Sequence, residues 1–235
     1  MLKKYNLCLF DLDGTLTDSQ VGITKAVDHA LRFFGIQTED LDELKKFIGP
    51  PLRDSFRGYC NFTEAEIEEA INKFREYFSE TGIYENRLYD GAIEVLSRLK
   101  TEGVQMVIAT AKLTAYAERI AEYFRMNQYF DLIVGSELDG SRSRKGDVIN
   151  YVLSTIDPTR RKSAVMIGDS KHDMLGGQET GIDTIGVTWG YGSRSELEEA
   201  KAMRIVDSFS ELCNVLVLIE KPLLSKDLGK HVKER

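Results

Sequence analysis

The chain has 235 residues, 42% of them hydrophobic, and a formal net charge of −7. That length suits one large domain or a domain carrying an insertion, and the acidic balance argues against nucleic acid or an anionic membrane as partner. No apolar run approaches the ~20 residues needed to span a bilayer, and three widely spaced cysteines, Cys8, Cys60 and Cys213, fit a reducing cytoplasm rather than a disulfide framework.

The first element is a strand at about 6–10, in which Cys8 reads as a small core residue. Met1 to Tyr5 reads as its lead-in rather than as a signal peptide. The strand's apolar run ends abruptly in Asp11-Leu12-Asp13-Gly14-Thr15-Leu16-Thr17.

Residues 17–85 then carry helices and no convincing strand. Val21, Ala26, Val27, Ala30, Leu31 and Phe34 recur at helical spacing, and a second helix starts at a Thr63-x-x-Glu66 capping box and buries Ile67, Ala70, Ile71, Phe74 and Phe78. About 70 residues is far more than an ordinary βα loop of 2–6. The block reads as a helical cap domain over the site, with hinges near 16–20 and 82–88. Gly49-Pro50-Pro51 is a stiff turn, and Arg53 just after it either grips a second anionic group of the substrate or sits on a solvated helix face. Phe56 and Tyr59 would suit a nucleotide, or belong to the cap core.

Strand signals return at about 104–110, 131–135, 163–167 and 183–187, with a weaker one at 204–206. Helical patterns lie between them. Asp90 is placed to cap the helix of Ile93, Leu96 and Leu99, Gly181 to stop one, and Ser193 with Glu196 to start another. The alternation predicts an α/β fold: a Rossmann-like parallel sheet with helices on both faces, built from 1–16 and 86–220. Residues 221–235 read as a frayed tail.

The second acidic cluster, Gly168-Asp169-Ser170-Lys171-His172-Asp173, follows the strand at 163–167. Both clusters therefore lie at the carboxyl ends of strands, where open α/β sheets bind ligands. Asp11, Asp13, Asp169 and Asp173 would repel one another without a cation, and a divalent ion is the simplest one.

These stretches, with Val107-Ile108-Ala109-Thr110 and Lys145 before Gly146-Asp147-Val148-Ile149, resemble in order the four motifs of the haloacid dehalogenase-like superfamily of phosphohydrolases. Phe47 to Pro51 and Gly186-Val187-Thr188-Trp189-Gly190-Tyr191-Gly192 are similar to its phosphoglycolate phosphatase and bacterial 5′-nucleotidase-like branch. The resemblance implies the following roles. Asp11 is the nucleophile that forms an aspartyl-phosphate. Asp13 is the general acid and then base. Thr110, with the Ala111 N–H, binds a phosphoryl oxygen. Lys145 supplies a fixed positive charge, with Arg144 as the competing assignment. Mg²⁺ is held by Asp11, the Asp13 carbonyl and Asp169, with Asp173 acting through a metal-bound water. Apart from the resemblance, Lys112, just past Thr110, points toward the cleft, and with Arg53 it would favour a substrate carrying a second negative group, such as the carboxylate of phosphoglycolate.

His29, His172 and His231 show no zinc-ligand spacing, and His172 reads as a surface residue or as one that backs the acidic site without touching substrate. Together these features point to a cytoplasmic, Mg²⁺-dependent phosphatase, monomeric or homodimeric, acting on a small phosphorylated metabolite and not on nucleic acid or a membrane. Phosphoglycolate leads and nucleoside 5′-monophosphates follow. A β-phosphoglucomutase-like phosphotransferase and a non-catalytic binding module are the rivals.

Overall fold

Leu7–Phe10 forms β1, whose four side chains are all buried. In the computed structural model, which describes residues 5–217, the elements run as follows. After β1 come β2 (Thr17–Asp18), α1 (Gln20–Phe33), a 3₁₀ turn at Leu41–Phe47, α2 (Leu52–Cys60), α3 (Glu64–Glu80) and β3 (Arg87–Leu88). Then come α4 (Ala92–Thr101), β4 (Gln105–Leu113), α5 (Thr114–Tyr123), β5 (Leu132–Ser136), α6 (Lys145–Thr155) and α7 (Pro158–Arg161). The described chain closes with β6 (Ala164–Gly168), α8 (Lys171–Glu179), β7 (Asp183–Val187), α9 (Arg194–Glu199), β8 (Arg204–Val206) and α10 (Phe209–Leu216).

Six strands form one sheet in the order β5-β4-β1-β6-β7-β8, and every pairing in it is parallel. The expected α/β class holds. The side chains of β1 alternate between two cores, as the period of a strand requires. Leu7 and Leu9 join Val107, Met166 and the α6 residues Val148 and Val152 on one face. Cys8 and Phe10 join Ile108, Ile167, Leu96 and Leu212 on the other. A strand covered on both faces must be apolar throughout. Cys8 is such a core residue, and burial pushes its thiol well up.

The chain leaves β1 for β4 and β5 on one side, then returns to β6, β7 and β8 on the other. The switch point therefore falls at β1, and the crevice opens at the carboxyl ends of β1, β4 and β6.

Between β2 and β3 the regular elements are helical. The Thr63–Glu66 capping box forms with both reciprocal bonds, and α3 buries Ile67, Ala70, Ile71, Phe74 and Phe78 as its spacing predicts. The two stretches expected to be hinges pair with each other: Thr17 faces Leu88 and Asp18 faces Arg87 in a short antiparallel ribbon. Four details differ from the sequence reading. The residue before α4 is Gly91 at φ 94°, and Asp90 makes no cap. Thr17–Asp18, inside the stretch read as having no strand, forms β2, and residues 41–47 form a 3₁₀ turn capped by Asp40. β4 runs to Leu113, beyond the expected end at Thr110. The C-terminal tail and the first four residues of the lead-in lie outside the described residues.

Candidate active site

The loop after β1 is a tight turn around one carbonyl. Leu12 O accepts the backbone N–H groups of Leu16 at 2.9 Å and Thr17 at 3.0 Å. Gly14 sits in this turn at φ +82°, and a Cβ there would lie 2.3 Å from Asp169 Oδ2. Only glycine lets the two acidic loops approach this closely. Gly190 plays the same part from a third loop, since a Cβ on it would lie 2.3 Å from the Asp169 Cβ.

Asp11, Asp169 and Asp173 are all buried. One carboxylate oxygen from each lies within 4.8 Å of the others. Asp169 accepts the Tyr191 N–H at 2.7 Å and the Thr15 hydroxyl at 3.2 Å. The Trp189 indole N–H donates to Thr15 O at 3.0 Å, so the 189–191 loop holds Asp169 directly and through Thr15. Burial, then the charges of Asp173 and Asp11, push the Asp169 carboxyl up to about 8. A buried acid so displaced from its ordinary value favours either a proton or a cation. Three converging hard oxygens fit a small divalent ion, with the remaining positions left for water and substrate. Mg²⁺ is therefore compatible with the residues present.

Lys145 opens α6 and is buried. Its ammonium lies 2.8 Å from Asp11 Oδ1, 2.8 Å from Asp173 Oδ1 and 3.0 Å from Ala109 O, to which it donates. The ammonium thus donates to one carbonyl and lies against two carboxylates. Burial disfavours its charge, but Asp11 and Asp173 outweigh that and hold it protonated. Arg144, the competing assignment, is exposed and lies 3.7 Å from Glu179.

Asp173 has two jobs. Its Oδ2 accepts from the Ser170 N–H at 3.1 Å and the Ser170 hydroxyl at 2.8 Å, which caps α8. Its Oδ1 faces Lys145. Asp173 therefore caps α8 and belongs to the acidic cluster at the same time.

Asp13 stands apart from the three-carboxylate cluster. Its Oδ2 lies 2.9 Å from the Lys112 ammonium, with both side chains nearly buried, and that ammonium lies 4.3 Å above the Phe78 ring. Lys112 is therefore taken by Asp13 and is not a free cation in the cleft. Thr110, Ala111 and Lys112 lie inside β4, where its register with β5 shifts between Ala109 and Leu113. There the Thr110 hydroxyl accepts the Lys112 N–H at 3.3 Å, and Ala111 O accepts the Ser136 hydroxyl at 2.9 Å.

A cavity of about 320 Å³ extends from Asp11, Asp13 and Thr110–Lys112 up to α3. Arg53 borders it, but pairs with Glu64 and Glu68 on α3. Phe56 is fully buried against Phe47 and Phe62, so it is core. Tyr59 borders a separate cavity with Lys46 and His172. The aromatic residues that line the same cavity as the acids are Phe47, Phe74, Phe78 and Tyr116 instead. Sequence reading missed Arg75, which also lines this cavity. The available signal was its place between Phe74 and Phe78, at the edge of the buried stripe of α3.

The model of the haloacid dehalogenase-like hydrolases matches residues 8–187. The chain belongs to that family. This hydrolase is 42% identical over 213 residues to a 5′-nucleotidase of Pseudomonas aeruginosa, covering 91% of this chain and 96% of the relative. It is 40% identical over 186 residues to the tyrosine-protein kinase PtkA of Mycobacterium tuberculosis, covering 79% of this chain and 63% of that longer protein. Among solved structures, a predicted phosphatase from Clostridium acetobutylicum superposes with a TM-score of 0.88 at 46% identity, covering 92% of this chain and 100% of the other. No helix of the hydrolase among its described residues is long and apolar enough to cross a membrane.

Proposed function

We propose that the protein is a Mg²⁺-dependent phosphatase that transfers the phosphoryl group of a nucleoside 5′-monophosphate to Asp11 and then to water. The enzyme class, a phosphoric monoester hydrolase, follows from family membership and from the phosphatase and 5′-nucleotidase relatives. The observation that carries the mechanism is the convergence of Asp11, Asp169 and Asp173 on one point with Lys145 behind them.

The Asp11 carboxylate is weak as a nucleophile, so position must compensate. Its Oδ1 is held by Lys145, which leaves Oδ2 to attack phosphorus. Bound Mg²⁺, held by Asp11, Asp169 and the Asp13 carbonyl with Asp173 behind, would neutralise charge on the phosphoryl oxygens. Thr110 and the Ala111 N–H would take another of those oxygens. As the ester bond breaks, Asp13 would give the leaving oxygen a proton carried on Oδ1, which has no hydrogen-bond partner among the described residues, while Oδ2 stays against Lys112. Asp13 then takes a proton from the water that attacks the aspartyl-phosphate. The helices of 17–85 act as the cap that keeps other water out, and the 17–18/87–88 ribbon acts as its hinge.

The preferred substrate moves from phosphoglycolate to a nucleotide for two reasons. The whole-length relative of 42% identity is a 5′-nucleotidase. The cation expected to bind a substrate carboxylate, Lys112, is engaged by Asp13. The test is Mg²⁺-dependent phosphate release from nucleoside 5′-monophosphates, phosphoglycolate and hexose phosphates. Isomerisation of a hexose phosphate without net release would replace this reading with the mutase.

A further inference from the structure

The cavity that includes the phosphoryl site continues past it to α3, and its far end has a chemistry of its own. At about 320 Å³ the whole cavity reaches the ~300–1,000 Å³ range of pockets that enclose drug-sized ligands. A glycolate group would leave most of it unfilled. One wall is aromatic. Phe74 and Phe78 of α3 stack at 5.2 Å between centroids, and Phe78 meets Tyr116 of α5 at 5.4 Å. Such rings favour a planar apolar partner over a hydrated aliphatic one.

Three cations line this cavity. Arg53 is held by Glu64 and Glu68, and Lys112 by Asp13. Arg75 alone makes no hydrogen bond or ion pair among the described residues. A guanidinium beside an aromatic wall, with its donors unspent, is a reader of paired acceptors. Two carbonyl or ring-nitrogen acceptors on one edge match its planar fork, whereas an ammonium does not. Guanine offers such a pair in O6 and N7, and adenine replaces one of them with a donor.

Resting on the phosphatase reading above, we propose that Arg75 determines the leaving-group specificity of this enzyme by reading the acceptor edge of an oxo-bearing nucleobase that lies against Phe74 and Tyr116. The phosphoryl end of the substrate is then held by the acidic site, and the base end by α3 of the insertion. A nucleotide would thereby bridge the two parts of the structure.

The experiment compares kcat/KM for guanosine 5′-monophosphate, adenosine 5′-monophosphate and ribose 5-phosphate, which lacks the base altogether. It uses the full-length wild type, Arg75→Ala and Arg75→Lys, with acetyl phosphate as a reference for phosphoryl-site chemistry. In the wild type, guanosine monophosphate should exceed ribose 5-phosphate by at least about tenfold, a typical value for one bidentate base contact. That ratio should collapse toward one in Arg75→Ala, chiefly through KM, and Arg75→Lys should not restore it. A wild-type ratio near one, or a ratio unaltered in Arg75→Ala, overturns the proposal. So does phosphoglycolate outrunning every nucleotide in an Arg75-dependent way, because Arg75 would then be reading a carboxylate. No Mg²⁺-dependent release even from acetyl phosphate, with the protein folded, fails the phosphatase reading itself and the proposal with it.

Discussion

The Lys112 ammonium lies 2.9 Å from Asp13 Oδ2 and 4.3 Å above the Phe78 ring. One side chain of β4 thus joins the second acid of the first motif to helix α3. Removing one partner of a buried pair leaves the other charge uncompensated, which costs about 3 kcal/mol or more. Lys112→Met, which keeps the stem over Phe78, should lower the unfolding free energy by about that much in urea titration. The double variant Lys112→Met/Asp13→Asn should regain most of the loss. Simple additivity of the two single changes would mean that the pair is not coupled.

Asp11 has one oxygen on Lys145, and the proposed mechanism uses the other. Asp11→Asn retains the shape of the side chain, so circular dichroism and melting should show a folded protein. Phosphate release should fall on the order of 10⁴-fold or more, as for other single nucleophile deletions. A variant within tenfold of wild type would remove Asp11 from the covalent role.

Three converging carboxylates predict that the cation is part of the folded site. Excess EDTA should abolish phosphate release, and Mg²⁺ should restore it. Binding should also be visible without turnover. At a free concentration a hundredfold above its dissociation constant, a ligand of the native state adds about 2.7 kcal/mol. For a chain of this size that is a Tm rise on the order of 5–10 °C. Differential scanning calorimetry with and without Mg²⁺ checks it, and an unmoved Tm would argue against the site.

The Asp169 carboxyl is pushed up to about 8, from an ordinary value near 4. Between those values the metal-free native state holds a proton that the unfolded chain has lost. This contribution to stability is complete below about pH 4 and is lost as pH rises through about 8. In EDTA, Tm should fall across that window, and Asp169→Asn should flatten the fall. With Mg²⁺ the fall should shrink, because the cation takes the place of the proton. At pH 7, Mg²⁺ binding should release protons, measurable by calorimetry in buffers of differing ionisation enthalpy.

Gly14 is at φ +82° against Asp169. Gly14→Ala strains the backbone and drives a methyl group into the Asp169 carboxylate, so it should weaken Mg²⁺ binding more than it lowers stability. Titration calorimetry beside urea unfolding separates the two effects.

Short-range chemistry was legible along the chain. The apolar run of Leu7–Phe10 could only be buried on both faces, and the abrupt acids after it had to face the crevice. The Thr63–Glu66 box and the stripe of α3 follow from helical geometry alone. Lys145 was separable from Arg144 only through its spacing before Val148 and Ile149. Pairing across the chain was not legible. That Lys112 belongs to Asp13, that Arg53 is consumed by Glu64 and Glu68, and that Tyr191 holds Asp169 depend on loops brought together from residues 13, 112, 169 and 191. Local sequence fixes which groups can ionise or donate, because that is a property of each side chain and its own backbone. Only packing decides which of those groups find a partner and which, like Arg75, do not among the described residues.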